Sequence, residues 1–245
     1  MGIRALACSS LPFLLGCAPA LVRVDDGALR RVPPADLAKA VERDDKQVAE
    51  ARAELKRADD EILAARRADA GKAAERRGAE EETRKARAAL DAAKKAGDAR
   101  AVDQAQLDLV IAEEGERLWQ AKAAWLDAQL AWRERFRDAA EKRIAAAEAT
   151  REKDRAELAA KAAPVDEPFD PAPYRGQQGR LHRAWSDALQ EVAKAHAEVD
   201  KRAGELAAAK QRYATARKVV LPPPLIAADG NAPAPTAPAP APPAK

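Results

Sequence analysis

The sequence predicts an all-α protein: a long antiparallel helical hairpin of the coiled-coil type, a third helix packed against it, and a disordered tail rich in Pro and Ala. In the periodic regions, large apolar residues recur every seven positions with Ala at the intervening seam positions, which is a helical heptad pattern. Charged residues make up 34% of the chain and aromatic residues 4%, which is typical of long helices with exposed surfaces. Stretches that contain Pro and Gly separate the periodic regions and predict the turns.

Residues 1–16 are predicted to be a signal peptide. Arg4 is their only charge, and the apolar stretch that follows has about 11 residues, where a membrane-spanning helix needs about 20. The segment leads into the tetrapeptide Leu14-Leu15-Gly16-Cys17, which resembles the lipobox of bacterial lipoproteins. In that family the chain is cut before the cysteine and the cysteine is acylated. The resemblance therefore implies a lipid anchor on Cys17, and an ordinary cleaved signal peptide is the alternative.

Two other N-terminal signals are weaker. Cys8 has almost no apolar segment ahead of it, and Leu6 occupies a position where an N-myristoylation motif needs Ser or Thr. The residue after the lipobox cysteine is Ala18 rather than Asp, and in the lipoprotein family this implies sorting to the outer membrane. We therefore expect a lipid-anchored protein of the outer membrane that faces the periplasm.

Composition excludes several kinds of site. Without residues 1–16 the remaining cysteine would be the acylated Cys17, so we expect no disulfide, no thiol nucleophile and no thiolate metal site. The net charge is +3 with both signs interspersed, which does not indicate a nucleic-acid partner. We expect no cofactor.

Residues 17–34 are predicted to be an extended tether with no periodicity, which could span roughly 55 Å. The hairpin is predicted over 35–162 and begins after two prolines, which favour a helix start. Its first arm carries a heptad row, Val41, Val48, Leu55 and Ile62. Between residues 64 and 89 there is no large apolar residue, so the sequence leaves open whether this arm is continuous.

The hairpin is predicted to turn near 97–98, where Gly97 follows two lysines in the manner of a helix C-terminus. An antiparallel reversal there pairs positions whose numbers add to roughly 197, by simple counting from the turn. The second arm has one wide apolar stripe: Leu107, Ile111, Leu118, Trp125, Trp132 and Phe136. In this register the large residues of each arm face alanines of the other, which close packing requires.

Residues 163–179 contain four prolines and predict a loop. The third helix is predicted over 180–220, with a heptad row that starts at Trp185. Residues 221–245 are an Ala/Pro tail that predicts polyproline II or disorder. Alanine-lined seams can close within one chain or between chains, so a homo-oligomer remains open.

The helices carry no recognisable catalytic or metal-binding motif. His182 and His196 are 14 residues apart, or about 21 Å along one helix, so they cannot share an ion and are expected to be structural. Acidic runs on helices this highly charged are expected to be solvated faces. We therefore predict that the protein is not an enzyme and holds no metal.

The two ends of the chain, Cys17 and Lys245, resemble the major murein lipoprotein in plan. That family has an acylated N-terminal cysteine, a helical rod with heptads, and a last lysine whose side chain is joined to peptidoglycan. The resemblance implies attachment through Lys245, although the murein lipoprotein is much shorter and lacks an Ala/Pro tail.

The sequence thus favours a non-enzymatic coiled-coil lipoprotein with a structural or scaffolding role, linking the outer membrane to the cell wall or to an envelope protein. Two alternatives stay open. One is a periplasmic chaperone or adaptor for outer-membrane assembly or export. The other is a coiled-coil activator of a cell-wall enzyme.

Overall fold

The computed structural model describes residues 21–219, and 87% of these residues are helical. This range contains no β-strand, and its long helices pack against one another, so the predicted all-α fold class is confirmed. The elements in order are α1 Asp26–Leu29, α2 Pro34–Asp69, α3 Lys72–Ala96, α4 Ala99–Ala162 and α5 Ala172–Ala216. None of these helices is long and apolar enough to cross a membrane.

Proline, glycine and aspartate fix the helix ends where the sequence indicated them. α2 begins with Pro34, which is suited to the first helical turn because its missing N–H would have no intrahelical partner. Between α3 and α4 the chain turns at Gly97, whose φ of 72° lies in the left-handed region. Asp98 then caps α4, because its Oδ1 accepts the N–H of Arg100 at 3.0 Å and that of Ala101 at 3.2 Å.

The first arm of the hairpin is interrupted, which answers the question that the sequence left open. α2 ends at Asp69 and α3 begins at Lys72. Gly71 lies in the interruption, where glycine lowers helix propensity by about 1 kcal/mol relative to Ala. Gly78 carries the same cost but lies inside α3, so the stretch without large apolar residues is helical on both sides of the break.

The third long helix begins earlier than the sequence predicted. α5 starts at Ala172 rather than at 180, so the predicted loop 163–179 shortens to 163–171. Pro173 is accommodated because a proline in the first turn of a helix removes no intrahelical hydrogen bond. Asp170 also stabilises this start, since its Oδ1 accepts the Ala172 N–H at 2.9 Å.

The described residues form two compact units. Unit 1 contains residues 21–73 and 121–206, and unit 2 contains residues 74–120 and 207–219. α2 and the later part of α4 are the main helices of unit 1, together with most of α5. α3, the start of α4 and the end of α5 form unit 2.

The core of unit 1 is built mainly from alanine. In α2, Ala51 and Ala58 are 0% and 1% exposed, and the larger Val48 and Ile62 are buried beside them. α4 and α5 contribute further buried alanines, namely Ala139, Ala140, Ala146, Ala149, Ala156, Ala159 and Ala188. Small side chains allow neighbouring helices to approach closely, so the core of this unit is a tightly packed seam.

Ion pairs along the edges of that seam set the register of α2 against α4. Glu54 pairs with Arg143, and Asp59 accepts a hydrogen bond of 2.6 Å from Arg137. Further pairs between the two helices are Arg43–Asp154, Asp45–Arg151, Arg52–Glu148, Glu61–Arg133 and Arg66–Glu134. Lys72, the first residue of α3, continues the row with Asp127 of α4. The residue numbers in these pairs add to between 194 and 200, close to the register expected for a reversal at Gly97.

Unit 2 is held by a different set of residues. Thr83 of α3 is 3% exposed, and its hydroxyl lies 3.4 Å from the carbonyl oxygen of Ala112 on α4. The other buried residues of this unit are Leu90, Ala105, Ala209 and Ala216. At the α4–α5 contact the ring of Tyr213 lies so close to Gly115 that an added Cβ there would be 3.4 Å from it.

Candidate functional site

The lipobox and the C-terminal lysine predicted from the sequence lie outside the described residues. These positions are Leu14, Leu15, Gly16, Cys17 and Lys245. The predicted tail 221–245 and the first part of the predicted tether lie outside them as well. The candidate site is therefore built from the described residues that follow the lipobox most closely in the chain.

Residues 21–33 form a docked segment, which we call the strap. The sequence predicted a free tether over 17–34, and for residues 21–33 that prediction was wrong. The strap is extended as far as Asp25, continues as the one-turn helix α1, and turns again before α2. Val24 and Val32 are 6% and 5% exposed, so both are buried within unit 1 instead of facing solvent.

Hydrogen bonds from the strap backbone fix its extended part. The N–H of Val22 donates to Oε1 of Gln177 on α5 at 3.2 Å. The N–H of Val24 donates to Oε2 of Glu152 on α4 at 3.0 Å, in a buried position. The strap is thus held by two buried side chains, Gln177 and Glu152, which belong to different helices.

Glu152 is the main polar anchor of the strap. Its side chain is 1% exposed, and its other oxygen, Oε1, lies 3.3 Å from Arg155 Nη1 and 3.5 Å from Arg151 Nε. A buried carboxylate is costly unless it is paired and hydrogen-bonded, and this one is both. Burial raises the pKa of nearby Tyr174, and the negative charges of Glu152 and Asp25 raise it further.

The later part of the strap lies beside the end of α4 and the following loop. Gly27 and Ala28 line a small cleft together with Ala159, Ala163 and Phe169. An exposed ion pair of 2.9 Å joins Arg31 to Glu167 at the edge of this cleft. Exposed pairs of this kind contribute little, about 0–1 kcal/mol, so the buried valines and the Glu152 bond dominate the docking.

A second buried carboxylate, Asp44, lies on α2 and is 1% exposed. Its Oδ1 accepts a hydrogen bond of 2.9 Å from Arg43, whereas its Oδ2 has no hydrogen-bond partner. Burial raises the pKa of Asp44, the charges of Asp154 and Asp45 raise it further, and Arg43 opposes them. Among residues 21–219 no group of three or more His, Cys, Asp or Glu is arranged to hold a metal ion.

The two histidines lie in separate places on α5. His182 shares a hydrogen bond of 2.9 Å with the hydroxyl of Thr150. His196 lies 3.1 Å from a carboxylate oxygen of Asp200, and its ring is edge-on to Trp132 with centroids 5.4 Å apart. Trp132 therefore contacts α5, the third long helix, which the sequence predicted to pack against the hairpin.

Sequence reasoning missed the strap and both buried carboxylates. The buried Val24 and Val32 have no helical period, so nothing in their spacing indicated burial. The two carboxylates could have been found from their heptad positions in the sequence. Asp44 stands seven residues before the buried Ala51, and Glu152 lies between Ala149 and Ala156, so each occupies a seam position that is otherwise alanine.

Comparison with known proteins gave no match: no protein-family model, no curated protein and no solved structure was found to be similar to this chain.

Proposed function

We propose that this protein is a lipid-anchored scaffold of the bacterial cell envelope, acylated at Cys17 and without catalytic activity. The observation that carries the proposal is the tetrapeptide Leu14-Leu15-Gly16-Cys17 behind a short apolar segment. Several acyl chains on one cysteine hold a protein firmly on a membrane, since each buried methylene contributes about 0.8 kcal/mol. The place of action would be the periplasmic face of the outer membrane.

The helical units support a structural role. Their charged residues are largely paired on the surface, while the seam of unit 1 is filled by alanine, so the helices are shaped for packing against one another. The partner would be the cell wall or an envelope protein, reached through residues 221–245.

Acylation is tested by mass spectrometry of the N-terminal peptide and by membrane fractionation. We expect a mature protein that begins with acylated Cys17 and sediments with membranes. Cys17→Ser should remove the acyl mass and release the protein from membranes. Cys8→Ser is the matched control and should change neither result. Unmodified Cys17 in membrane-bound protein would overturn the proposal.

A second function, as an adaptor or activator that docks a partner protein, is favoured by one feature of unit 2. α4 and α5 form a shallow groove there, lined by Val110, Ala208 and Ala216 and by polar residues that include Glu114 and Arg212, and Val110 is 45% exposed. Deletion of residues 221–245 separates the two functions: the scaffold should lose its association with the cell wall, whereas partner binding at the groove should persist. Crosslinking in intact envelopes from a residue beside Val110 would identify such a partner.

A further inference from the structure

We propose that the strap holds the lipid anchor against the side of unit 1, so that the lipid leaflet meets the α4–α5 surface beside Leu21. This inference rests on the proposed acylation of Cys17. In this arrangement unit 1 lies at the membrane surface instead of being separated from it by a long tether.

The direction of the strap places its N-terminal end away from the end of α4. Val24 is bonded to Glu152, whereas Gly27 and Ala28 lie beside Ala159 and Ala163. The strap therefore runs in the same direction as α4, toward the loop 163–171. Glu152 lies ten residues, or about 15 Å, before the last residue of the helix, so the strap enters along the side of unit 1.

Chain length then limits how far the membrane can be. Four residue steps separate Cys17 from Leu21, and a fully extended chain covers at most about 14 Å over that number. A free tether of 17 residues would have reached roughly 55 Å. Docking of residues 21–33 thus removes about three quarters of the available reach.

The strap can keep unit 1 close to the lipid anchor because it is bound to unit 1 at several positions. Two of its backbone N–H groups are bonded to buried side chains, and two of its valines are buried. Its entry point is also suited to a lipid surface, since Val22 is 48% exposed there. An apolar side chain next to an acyl anchor can enter the boundary between headgroups and chains.

The test uses the full-length acylated protein in vesicles of phosphatidylethanolamine and phosphatidylglycerol. In the mature chain Cys17 is the only cysteine, and acylation blocks it, so one introduced cysteine can be labelled alone. We choose Arg180→Cys, which is exposed and lies one helical turn from Gln177. A fluorophore at this position should be quenched by lipids that carry a spin label on the headgroup.

Two changes should abolish the quenching. Insertion of ten Gly/Ser residues between Ala20 and Leu21 leaves unit 1 untouched but makes the reach of the tether about threefold longer. Glu152→Ala with Val24→Asp should release the strap from unit 1, so that trypsin cleaves its backbone faster after Arg23, Arg30 and Arg31, whose side chains are already exposed. The same ten-residue insertion after Val165, in the α4–α5 loop, is the matched control and should leave the quenching unchanged.

The outcomes separate the two proposals. Unmodified Cys17 in the mass spectrum overturns the acylation and with it the proposed function. Acylated protein whose Arg180→Cys label is not quenched overturns only the docking of unit 1 on the leaflet. Quenching that persists after the insertion before Leu21 also overturns it, because the short link would then not be what holds the body at the membrane.

Discussion

Units 1 and 2 both pack α4 against an antiparallel neighbour, but they rely on different features of the chain. In unit 1 the seam between α2 and α4 is filled by side chains that are 0–2% exposed, including Ala51, Ala58 and Ala149. In unit 2 the buried residues of α3 are Thr83 and Leu90. Gly78 of the same helix lies in open space, because a Cβ added there would have no neighbouring atom within 4 Å. Unit 1 should therefore be sensitive to side-chain volume and unit 2 to backbone conformation.

The largest effect is expected from enlarging the alanine seam. Ala51→Leu adds three carbons where the native side chain is 0% exposed, and overpacking of this kind should lower the free energy of unfolding by about 2–3 kcal/mol. Urea unfolding measures the change. Ala53→Leu, at an exposed position of the same helix, is the control and should stay within about 0.5 kcal/mol of the wild type. Equal losses in both variants would show that the seam is not tightly packed.

The turn of unit 2 comes next in size. Gly97 has a φ of 72°, and a residue with a Cβ is disfavoured there by about 1–2 kcal/mol. Gly97→Ala should therefore increase hydrogen exchange in α3 and in the first part of α4. Amides of α2 should keep their wild-type exchange rates if the two units respond separately. Unchanged exchange in α3 would contradict the left-handed turn.

Asp44→Asn should stabilise unit 1 at neutral pH, by on the order of 1 kcal/mol, because it removes a buried charge with an unpartnered oxygen. The folded pKa is raised above the ordinary value of 3.8, so the charged form is disfavoured in the folded state. This cost is absent below pH 3.8 and grows as the pH rises through the folded pKa. Thermal unfolding at pH 7 and pH 3 checks the sign; a stabilisation of equal size at both would contradict the buried charge.

The smallest effect concerns the open position in α3. Gly78→Ala removes a glycine from a helix interior where nothing lies within 4 Å of the new Cβ, so it should stabilise unit 2 by about 0.5–1 kcal/mol. Exchange of α3 amides should slow accordingly. Gly78→Ala and Gly97→Ala are the same kind of substitution in the same unit, but the first should stabilise unit 2 and the second should destabilise it. Changes in stability of the same sign would contradict the sensitivity of unit 2 to backbone conformation.

The sequence was informative wherever local chemistry decides the structure. Gly97 and Pro34 mark helix ends through their own backbone preferences, Asp98 marks one through its side-chain cap, and heptads indicate which faces pack. The strap could not be read in this way, because the burial of Val24 depends on Glu152, a residue 128 positions further along the chain. Lipidation of Cys17 stays a prediction.

The long separation between the strap and its partners has a consequence for biosynthesis. Ribosomes add about 5–20 residues per second, so Glu152 is made roughly 6–26 s after Val24, and Gln177 follows later still. During that interval the strap has nothing to bind. An enzyme that cuts or modifies the chain just ahead of Leu21 would therefore meet a strap that is not yet docked, because residues 21–33 can bind unit 1 only after its later helices have been made.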